Sequence, residues 1–324
     1  MAKTLSHNKP GFFKKLKNPL IIIIILLLAT NLLTFLYYKP LVENPFENYK
    51  NPYPYIDLSR SFIDQENFIV NLQPLRESLA SIYKEHGEDK IALYVEFLNS
   101  GANISYNQDA RYYPASLIKM PVAIAAVKRI QDGYWNWDSK LVIFDEDVDT
   151  KFGTIGNLPI GTRLTIEELL KELLTKSDNT AYKMLLRNLG AGPVNDFLTE
   201  TGLVEFFDQD LNITAKEYTR LFRSLYTSSY LKREYSQKIL NLLSLSERNY
   251  LGQAIPADII YSHKFGENVT EKIFADSGIV YIPERPYIIT VLYKGGSEDD
   301  KMTTDAFFYK ISNTVYKFFN EYNK

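Results

Sequence analysis

The hydrophobic and polar positions of this chain predict a main body with strands near both ends and helices between them. Residues 72–86 carry apolar side chains three or four positions apart, which is the spacing of an amphipathic helix. Residues 90–101, KIALYVEFLNSG, predict a strand that ends in a turn, and residues 103–109, NISYNQD, predict its hairpin partner. An almost uninterrupted apolar stretch then begins at Ser116 and predicts a buried helix that ends near Gly133.

Capping residues divide the middle of the body into further helices. Thr165 and Glu168 have the spacing of a capping box, in which each side chain satisfies a free backbone N–H of the other, so we expect a helix over residues 166–175. Thr214 and Glu217 repeat this pattern at the start of another helix. Two more helices, each followed by a glycine, are expected over residues 178–190 and 193–202.

The C-terminal part changes from helical to strand character. Three runs rich in β-branched and aromatic residues predict an antiparallel meander over residues 258–266, 272–282 and 286–295. An amphipathic helix from about Thr303 closes the chain. This order predicts an α+β fold in which a five-stranded antiparallel sheet is flanked by helices and carries an inserted all-helical subdomain. We expect a cleft between the sheet and that subdomain.

The first 65 residues differ from the body. Residues 1–18 contain five lysines and no acidic residue, and residues 19–38 are apolar apart from a few polar side chains. A run of this length can cross a bilayer core of about 30 Å, with the lysines on the cytoplasmic side. The pattern predicts a cytoplasmic tail (1–18), a transmembrane anchor (19–38), an extracytoplasmic linker (39–65) and a domain (66–324) held outside the cytoplasmic membrane. A cleaved signal peptide and a buried core helix are the alternatives.

Composition removes several classes of function. The chain has no cysteine, which excludes disulfides, thiolate metal sites and a cysteine nucleophile. Its three histidines, His7, His86 and His263, never have metal-binding spacing, so we expect no metal and no cofactor. The formal net charge is −2, and no basic stripe follows the N-terminus, which argues against a nucleic-acid partner.

Ser116 and Lys119 are the first candidates for chemistry. Residues three apart share a helix face, so the Lys119 amine can reach the Ser116 hydroxyl. Burial among apolar neighbours would disfavour the charged amine, lower its pKa and let it accept the serine proton. The alternative is an N-cap serine beside a lysine that extends to solvent. The same Ser-x-x-Lys pattern occurs at Ser6, Ser81 and Ser229, but in polar surroundings.

Two further motifs follow in the body. Residues 177–179 read Ser-Asp-Asn at a predicted helix start, and residues 264–266 read Lys-Phe-Gly on a predicted strand. Together with Ser116 and Lys119, they resemble the three-motif set of class A β-lactamases and penicillin-binding proteins. The resemblance extends from about residue 72 to the C-terminus. It implies the β-lactamase/transpeptidase-like fold.

The resemblance also implies roles for the first two motifs. Ser116 would be the acylated nucleophile and Lys119 its proton acceptor. Ser177 would relay a proton to the leaving nitrogen, and Asn179 would bind the amide side chain of the substrate. Asp178 is expected to cap its helix. An ordinary N-cap at Ser177 and a turn-forming Asn179 are the alternatives.

The third motif would bind substrate through Lys264 and Gly266. The Lys264 amine would supply positive charge for a substrate carboxylate, although an edge-strand lysine that discourages aggregation is the alternative. The backbone N–H groups of Ser116 and Glu267 would form the oxyanion hole, aimed at the oxygen that becomes negative in the transition state.

The chain departs from the family pattern in three places. Phe265 replaces a small hydroxyl residue that helps to hold the substrate carboxylate, and Ser277 stands where many class A enzymes have an arginine. Lys272 and Arg285 are the nearest other basic residues. Asp208 stands in the position of the deacylating glutamate, but the loop that carries it is much shortened. Asp208 is therefore either a possible deacylation base or part of a solvated turn.

The sequence predicts a membrane-anchored, outward-facing serine hydrolase, closest to class A, that acts on a β-lactam or a related D-Ala-type amide through an acyl-enzyme. A penicillin-binding DD-carboxypeptidase that acts on cell-wall peptides is one alternative. An acylated sensor or a catalytically silent binding module is the other. The shortened loop predicts that deacylation is weak.

Overall fold

Strands from the two ends of the chain pair in one antiparallel sheet. β1 (Ile91–Phe97) and β2 (Asn103–Tyr106) form the predicted hairpin, and β5 (Tyr261–Asn268), β6 (Ile273–Val280) and β7 (Tyr287–Lys294) form the predicted meander. β1 lies against β7, which gives the strand order β2-β1-β7-β6-β5. The predicted α+β fold with a five-stranded sheet is confirmed, and β5 lies at one edge of that sheet.

The computed structural model describes residues 19–42, 53–56, 70–87, 89–296 and 301–322, and the chain divides into two compact units, 1–52 and 53–324. In the first unit, helix α1 (Pro19–Val42) contains the predicted apolar run, and large apolar side chains such as Leu28 and Leu33 are exposed. Over the part of the chain that the structure describes, no helix is both long enough and apolar enough to cross a membrane. The predicted tail, residues 1–18, lies outside the described residues.

The helical subdomain follows the predicted caps. Thr165 accepts a hydrogen bond from the Glu168 N–H at 3.1 Å, and Glu168 Oε2 accepts one from the Thr165 N–H at 2.7 Å, so this capping box is confirmed. Thr214 accepts from the Glu217 N–H, whereas the Glu217 carboxylate pairs with Arg220. The helices of the second unit are α2 (Gln73–His86), α3 (Lys119–Gln131), α4 (Ile166–Thr175), α5 (Asn179–Leu189), α6 (Gly192–Glu200), α7 (Ala215–Tyr226), α8 (Arg233–Ser244) and α9 (Lys301–Glu321).

Both faces of the sheet are covered. On one face, Leu93 and Val95 of β1 join a core that includes Leu79 of α2 and Phe307 of α9. On the opposite face, side chains such as Tyr94 pack with the helical subdomain. β1 is buried at every position, so it lacks the apolar and polar alternation of a strand with one solvated face. The cleft predicted between sheet and subdomain lies along β5, where Phe265 and Gly266 line a cavity together with Ser177.

Two elements were not predicted. Helix α8 presents Ile239, Leu240 and Leu243 to the core and was missed between the Thr214 helix and the meander. A small hairpin of β3 (Lys140–Val142) and β4 (Arg163–Thr165) lies where the sequence indicates only irregular structure. Strands of three residues are too short to show a periodic pattern.

Part of the predicted linker belongs to the folded domain. Ile56 is only 3% exposed, the Tyr55 N–H donates to Gln237 Oε1 at 2.9 Å, and the Tyr281 hydroxyl donates to the Tyr55 carbonyl at 3.2 Å. The prediction of a spacer over residues 39–65 is therefore wrong for residues 53–56, because Ile56 is buried in the core of the folded domain. It is also wrong for residues 39–42, which continue α1. The rest of that segment lies outside the described residues.

Candidate active site

Ser116 lies in a short 3₁₀ turn, Ala115–Ile118, immediately before α3. The predicted helix therefore begins three residues later than Ser116, and the serine is not its N-cap, because Ile118 holds that position. Ala115 has a φ of +47°, a left-handed conformation that residues other than glycine rarely adopt and that is often found at functional sites. The buried hydroxyl of Tyr218 on α7 donates to the Leu117 carbonyl at 3.1 Å and so holds the turn in place.

Lys119 brings the first two motifs together. Its side chain is buried, and its Nζ lies 3.1 Å from Ser116 Oγ and 3.0 Å from Ser177 Oγ. The same amine donates to the Ser177 carbonyl at 2.5 Å and to Asn179 Oδ1 at 2.6 Å. The predicted grouping of Ser116, Lys119, Ser177 and Asn179 is therefore present in the structure.

Burial changes the acidity of this lysine. Desolvation lowers the pKa of Lys119 from 10.5 to about 8, against the opposing attraction of the Asp178 and Asp149 carboxylates for the ammonium form. With that pKa, about a tenth of the amine is unprotonated at pH 7. A neutral amine at hydrogen-bonding distance from Ser116 can accept its proton, as the sequence predicts.

The Ser-Asp-Asn segment is fixed by its middle residue. Asp178 Oδ1 accepts from the Ala181 N–H at 2.8 Å, which confirms the predicted helix cap, and Oδ2 accepts from the Thr154 N–H at 2.6 Å. Gly153 approaches so closely that a Cβ there would lie 2.0 Å from Asp178 Oδ2. These contacts hold Ser177, which has a φ of +56° and is buried, with its hydroxyl toward Lys119.

Asn179 connects Lys119 to a carboxylate that the sequence analysis missed. While Oδ1 accepts from Lys119, Nδ2 donates to Asp149 Oδ1 at 3.1 Å. Asp149 Oδ2 in turn lies 3.4 Å from Lys183 Nζ. Asp149 belongs to an acidic run, DEDVD, in which no spacing distinguishes it from its neighbours. Its carboxylate, with the hydrogen bonds that it accepts, orients the Asn179 carboxamide toward the lysine.

The third motif lies on β5, beside the serine turn. A Cβ on Gly266 would lie 2.6 Å from the Ser116 nitrogen and 3.1 Å from the Pro114 carbonyl oxygen, so only glycine allows this approach. Because β5 is an edge strand, the N–H groups that point away from β6 have no strand partner. Gly266 thus brings the next residue, Glu267, close to the Ser116 turn, and Ser116 and Glu267 line the same two cavities.

Lys264 is placed differently from the prediction. It is fully buried, and its Nζ donates to the Phe265 carbonyl at 2.9 Å. Desolvation and the nearby Lys119 amine hold the pKa of Lys264 well below its usual range, against an opposing effect of Asp276. The buried amine therefore lies near Lys119, with its charged form disfavoured. This arrangement does not supply the exposed positive charge expected for a substrate carboxylate.

Asp208 lies in a turn. Its Oδ1 accepts from the backbone N–H groups of Asp210 at 2.9 Å and Asn212 at 2.8 Å, and its Oδ2 accepts from Asn212 Nδ2 at 3.2 Å. Desolvation raises the pKa of Asp208, but these hydrogen bonds outweigh it and together lower that pKa below its usual value. Within the described part of the chain, no hydrogen bond joins Asp208 to Ser116 or Lys119. The structure thus favours the turn over the deacylation base.

Two cavities meet at Ser116. The first, of about 510 Å³, is also lined by Asn179 and Asp149, and we call it the Asn179 cavity. The second, of about 460 Å³, is also lined by Ser177 and the Phe265–Gly266 stretch of β5, and we call it the Ser177 cavity. Glu267 lines both cavities. The serine is thus open on two sides, with the amide of Asn179 on one and the hydroxyl of Ser177 on the other.

The other basic residues considered from the sequence do not serve these cavities. Neither Lys272 nor Arg285 lines the Asn179 cavity or the Ser177 cavity. Arg285 instead donates to backbone carbonyls near the end of α9, including that of Phe319 at 3.4 Å. Ser277 is fully buried and shares a hydrogen bond of 2.6 Å with Thr290.

Sequence comparison identifies beta-lactamases among the relatives of this chain. A profile of the beta-lactamase enzyme family matches residues 74–319. The chain is 21% identical over 252 residues to beta-lactamase VEB-1 of Pseudomonas aeruginosa, an alignment that covers 68% of this chain and 82% of that protein. It is 25% identical over 254 residues to a beta-lactamase of Streptomyces fradiae, which covers 70% and 79% of the two chains.

Solved structures give the same result for the fold. PBP-A superposes with a TM-score of 0.69 at 20% identity, over 77% of this chain and 97% of that one. An ancestral class A beta-lactamase superposes with a TM-score of 0.68 at 24% identity, over 75% and 99% of the two chains. At this identity the likeness concerns the fold, and the chemistry of the site must be argued from its own residues.

Proposed function

Because this chain belongs to the beta-lactamase enzyme family, we propose that it is a serine hydrolase in which Ser116 attacks the carbonyl of a β-lactam or a related amide and forms an acyl-enzyme. The observation that carries this proposal is the buried Lys119 amine, with a pKa of about 8, at 3.1 Å from Ser116 Oγ. An activated nucleophile needs a base at hydrogen-bonding distance whose pKa is near the working pH.

These residues supply every group that the acylation step needs. The Ser116 Oγ–carbon bond forms as the serine proton passes to the Lys119 amine, and negative charge develops on the carbonyl oxygen. The N–H groups of Ser116 and Glu267 stabilise that oxygen, because they need no reorganisation to reach it. The carbon–nitrogen bond then breaks, and the leaving nitrogen takes a proton from the Ser177 hydroxyl, which recovers it from Lys119 at 3.0 Å.

In the proposed reaction, release of the acyl group is the slow step. Water must attack the ester, and a general base typically contributes a factor of about 10² to 10⁴ to such a step. Among the residues that the structure describes, no carboxylate hydrogen-bonds to Ser116 or Lys119, and both oxygens of Asp208 are engaged in its turn. We therefore expect the acyl-enzyme to accumulate.

Two related proteins support a β-lactam as the reacting compound. One relative, 24% identical over 244 residues, is the carbapenem-hydrolyzing beta-lactamase KPC of Klebsiella oxytoca. A second structure of PBP-A, with a TM-score of 0.69, is an acyl-enzyme complex of its L158E mutant with penicillin G.

The test is covalent labelling by a fluorescent penicillin. The wild-type protein should be labelled and should gain the mass of the opened penicillin, and Ser116→Ala should abolish both signals. Ser81→Ala is the matched control, because Ser81 and Lys84 have the same spacing on the exposed side of α2, where Ser81 Oγ donates to the Glu77 carbonyl at 3.3 Å.

Three outcomes separate the candidate functions. Labelling that persists for hours without turnover would favour an acylated sensor. No labelling of a folded wild-type protein by a penicillin or by an acyl-D-alanyl thioester would refute the proposed function and favour a silent binding module. Labelling that survives Ser116→Ala but is lost in Ser81→Ala would show that the other serine reacts.

A further inference from the structure

The acyl part of a substrate must lie in the Asn179 cavity. In the proposed reaction the Ser177 hydroxyl donates a proton to the leaving nitrogen, so the leaving group lies on the side of the Ser177 cavity. The Asn179 cavity, which also reaches Ser116, then receives the acyl group. The space beyond the Asn179 cavity therefore decides how long an acyl group the site can hold.

A further cavity, of about 530 Å³, adjoins the Asn179 cavity. We call it the Arg111 cavity, and its lining includes Asp89, Arg111, Tyr113, Asn212, Glu271 and Lys294. Tyr113 lines both cavities. The turn between β5 and β6 also passes from one to the other, because residues 268–270 line the Asn179 cavity and residue 271 lines the Arg111 cavity. Since two separate segments contribute to both walls, the two cavities lie side by side along one cleft.

The walls of the Arg111 cavity are joined by hydrogen bonds. Tyr112 and Ile213 exchange two backbone hydrogen bonds of 2.9 Å, which tie the segment before the serine turn to the loop before α7. The Arg111 guanidinium donates to two backbone carbonyls, including that of Asn212 at 3.2 Å. The Tyr112 hydroxyl donates to the Asp89 carbonyl at 3.0 Å. The cavity is thus formed without a ligand, so a ligand need not order its walls.

The lining of the Arg111 cavity carries charges of both signs. Arg111 and Lys294 are positive, whereas Asp89 and Glu271 are negative. Arg111 is half-buried, and the other three are exposed and more strongly screened by water and salt. The hydrogen bonds of Arg111 to neutral carbonyls leave its positive charge in place, and this charge helps to lower the pKa of the nearby Asp208 carboxyl. A peptide with one carboxylate and one amine can therefore pair with groups of this lining.

We propose that the Arg111 cavity binds the distal part of the acyl group, so that the site prefers a peptidyl acyl donor with carboxylate and amine side chains over a compact one. This inference rests on the proposed function and names its substrate class. A compact acyl group ends in the Asn179 cavity, which by itself has the volume of a small-ligand site. A longer one adds contacts to the charged lining, and one such hydrogen bond contributes a factor of roughly ten to binding.

The test compares three D-alanyl thioesters with the same neutral leaving group, thioglycolamide. Their acyl groups are acetyl-D-alanyl, acetyl-Gly-Gly-D-alanyl and acetyl-Glu-Lys-D-alanyl. In each case the Ser116 Oγ–carbon bond forms, the carbon–sulfur bond breaks and the thiol takes the proton, so kcat/KM for thiol release reports acylation. For the wild-type protein we expect the Glu-Lys donor to exceed the acetyl-D-alanyl donor at least about tenfold and the Gly-Gly donor about fivefold.

Two variants remove the charged lining. Arg111→Gln, and separately the double variant Glu271→Gln with Lys294→Gln, should each bring the ratio of Glu-Lys to Gly-Gly donor to within about twofold of one. Because both donors are measured on the same variant, a general loss of activity cancels in this ratio. The control is Glu85→Gln with Lys310→Gln, which removes an exposed ion pair between α2 and α9 and should leave the wild-type ratio unchanged. Thermal unfolding of each variant checks that the fold is intact.

The inference and the proposed function fail differently. Acylation by all three donors with no preference for the Glu-Lys donor, or a preference that survives both lining variants, would overturn the subsite and leave the nucleophile standing. If no donor acylates the folded wild-type protein, the proposed function fails. The cavity is then tested by fluorescence anisotropy with dye-labelled Glu-Lys-D-alanine and Ser116→Ala: binding that Arg111→Gln weakens at least about fivefold would support a peptide site, and no binding would refute it.

Discussion

Acylation of Ser116 should depend on pH through Lys119 in the range from 6 to 9.5. Only the neutral amine accepts the serine proton, and burial lowers the pKa of Lys119 to about 8, against the attraction of the Asp178 and Asp149 carboxylates for the charged form. The neutral fraction then rises from about 1% at pH 6 to about one half at pH 8, so the acylation rate should rise roughly 50-fold over that interval.

The plateau above pH 8 distinguishes this account from an ordinary lysine. With a pKa of about 8, the rate should rise only about 1.3-fold between pH 8.5 and 9.5, whereas an unshifted lysine of pKa 10.5 would give about ninefold. The assay is the second-order rate constant for labelling by a fluorescent penicillin, with Ser116→Ala as the blank at each pH. Circular dichroism confirms that the protein stays folded across the range.

Two variants make the assignment specific. Asp149→Asn removes one of the carboxylates that favour the ammonium form, so the midpoint should fall below that of the wild-type protein. Lys119→Arg should lose acylation at every pH tested, because a guanidinium is not deprotonated in this range. A wild-type rate that is flat from pH 6 to 9.5, or that still climbs tenfold per unit above 8.5, would refute the role of a buried lysine base.

Three further predictions follow from single contacts. Gly266→Ala would bring a Cβ to 2.6 Å from the Ser116 nitrogen and should lower the acylation rate roughly 10²- to 10³-fold, as loss of an oxyanion donor does. The control is Gly192→Ala, which has open space around it and should change the rate less than twofold. An unchanged acylation rate in Gly266→Ala would contradict the proposed oxyanion hole. Asp208→Asn should leave the acyl-enzyme lifetime, followed by intact mass, within about twofold of wild type, since the carboxylate serves a turn; a lifetime prolonged beyond about tenfold would show that it is the deacylation base. If the basic N-terminus and apolar run export residues 66–324, protease added to intact cells should digest that domain, and protection would contradict the predicted location.

Much of the architecture follows from local sequence pattern. The hairpin, the meander and the Thr165–Glu168 capping box were predicted because strand alternation, turn residues and caps act over only a few neighbouring positions. The elements that were not predicted lack these local signals. Helix α8 has no capping side chain at its start, and β3 and β4 are three residues long.

The identity of the candidate site was also largely readable from the sequence. Two of the three spaced motifs identified Ser116, Lys119, Ser177 and Asn179, and the structure brings the other three side chains within hydrogen-bonding distance of the Lys119 amine. The assignment of Asp178 to a cap was correct, because an aspartate before a helix has a local role that its neighbours define.

Only the tertiary structure decided the electrostatics of the cleft. Lys119 and Lys264 both stand in recognised motifs, yet one amine contacts the serine and the other lies fully buried beneath β5. Asp149 reaches the Asn179 carboxamide from an acidic run in which no spacing in the sequence marks it. Burial and proximity arise from the packing of distant segments, so the acidity of Lys119 is a property of the fold rather than of its motif.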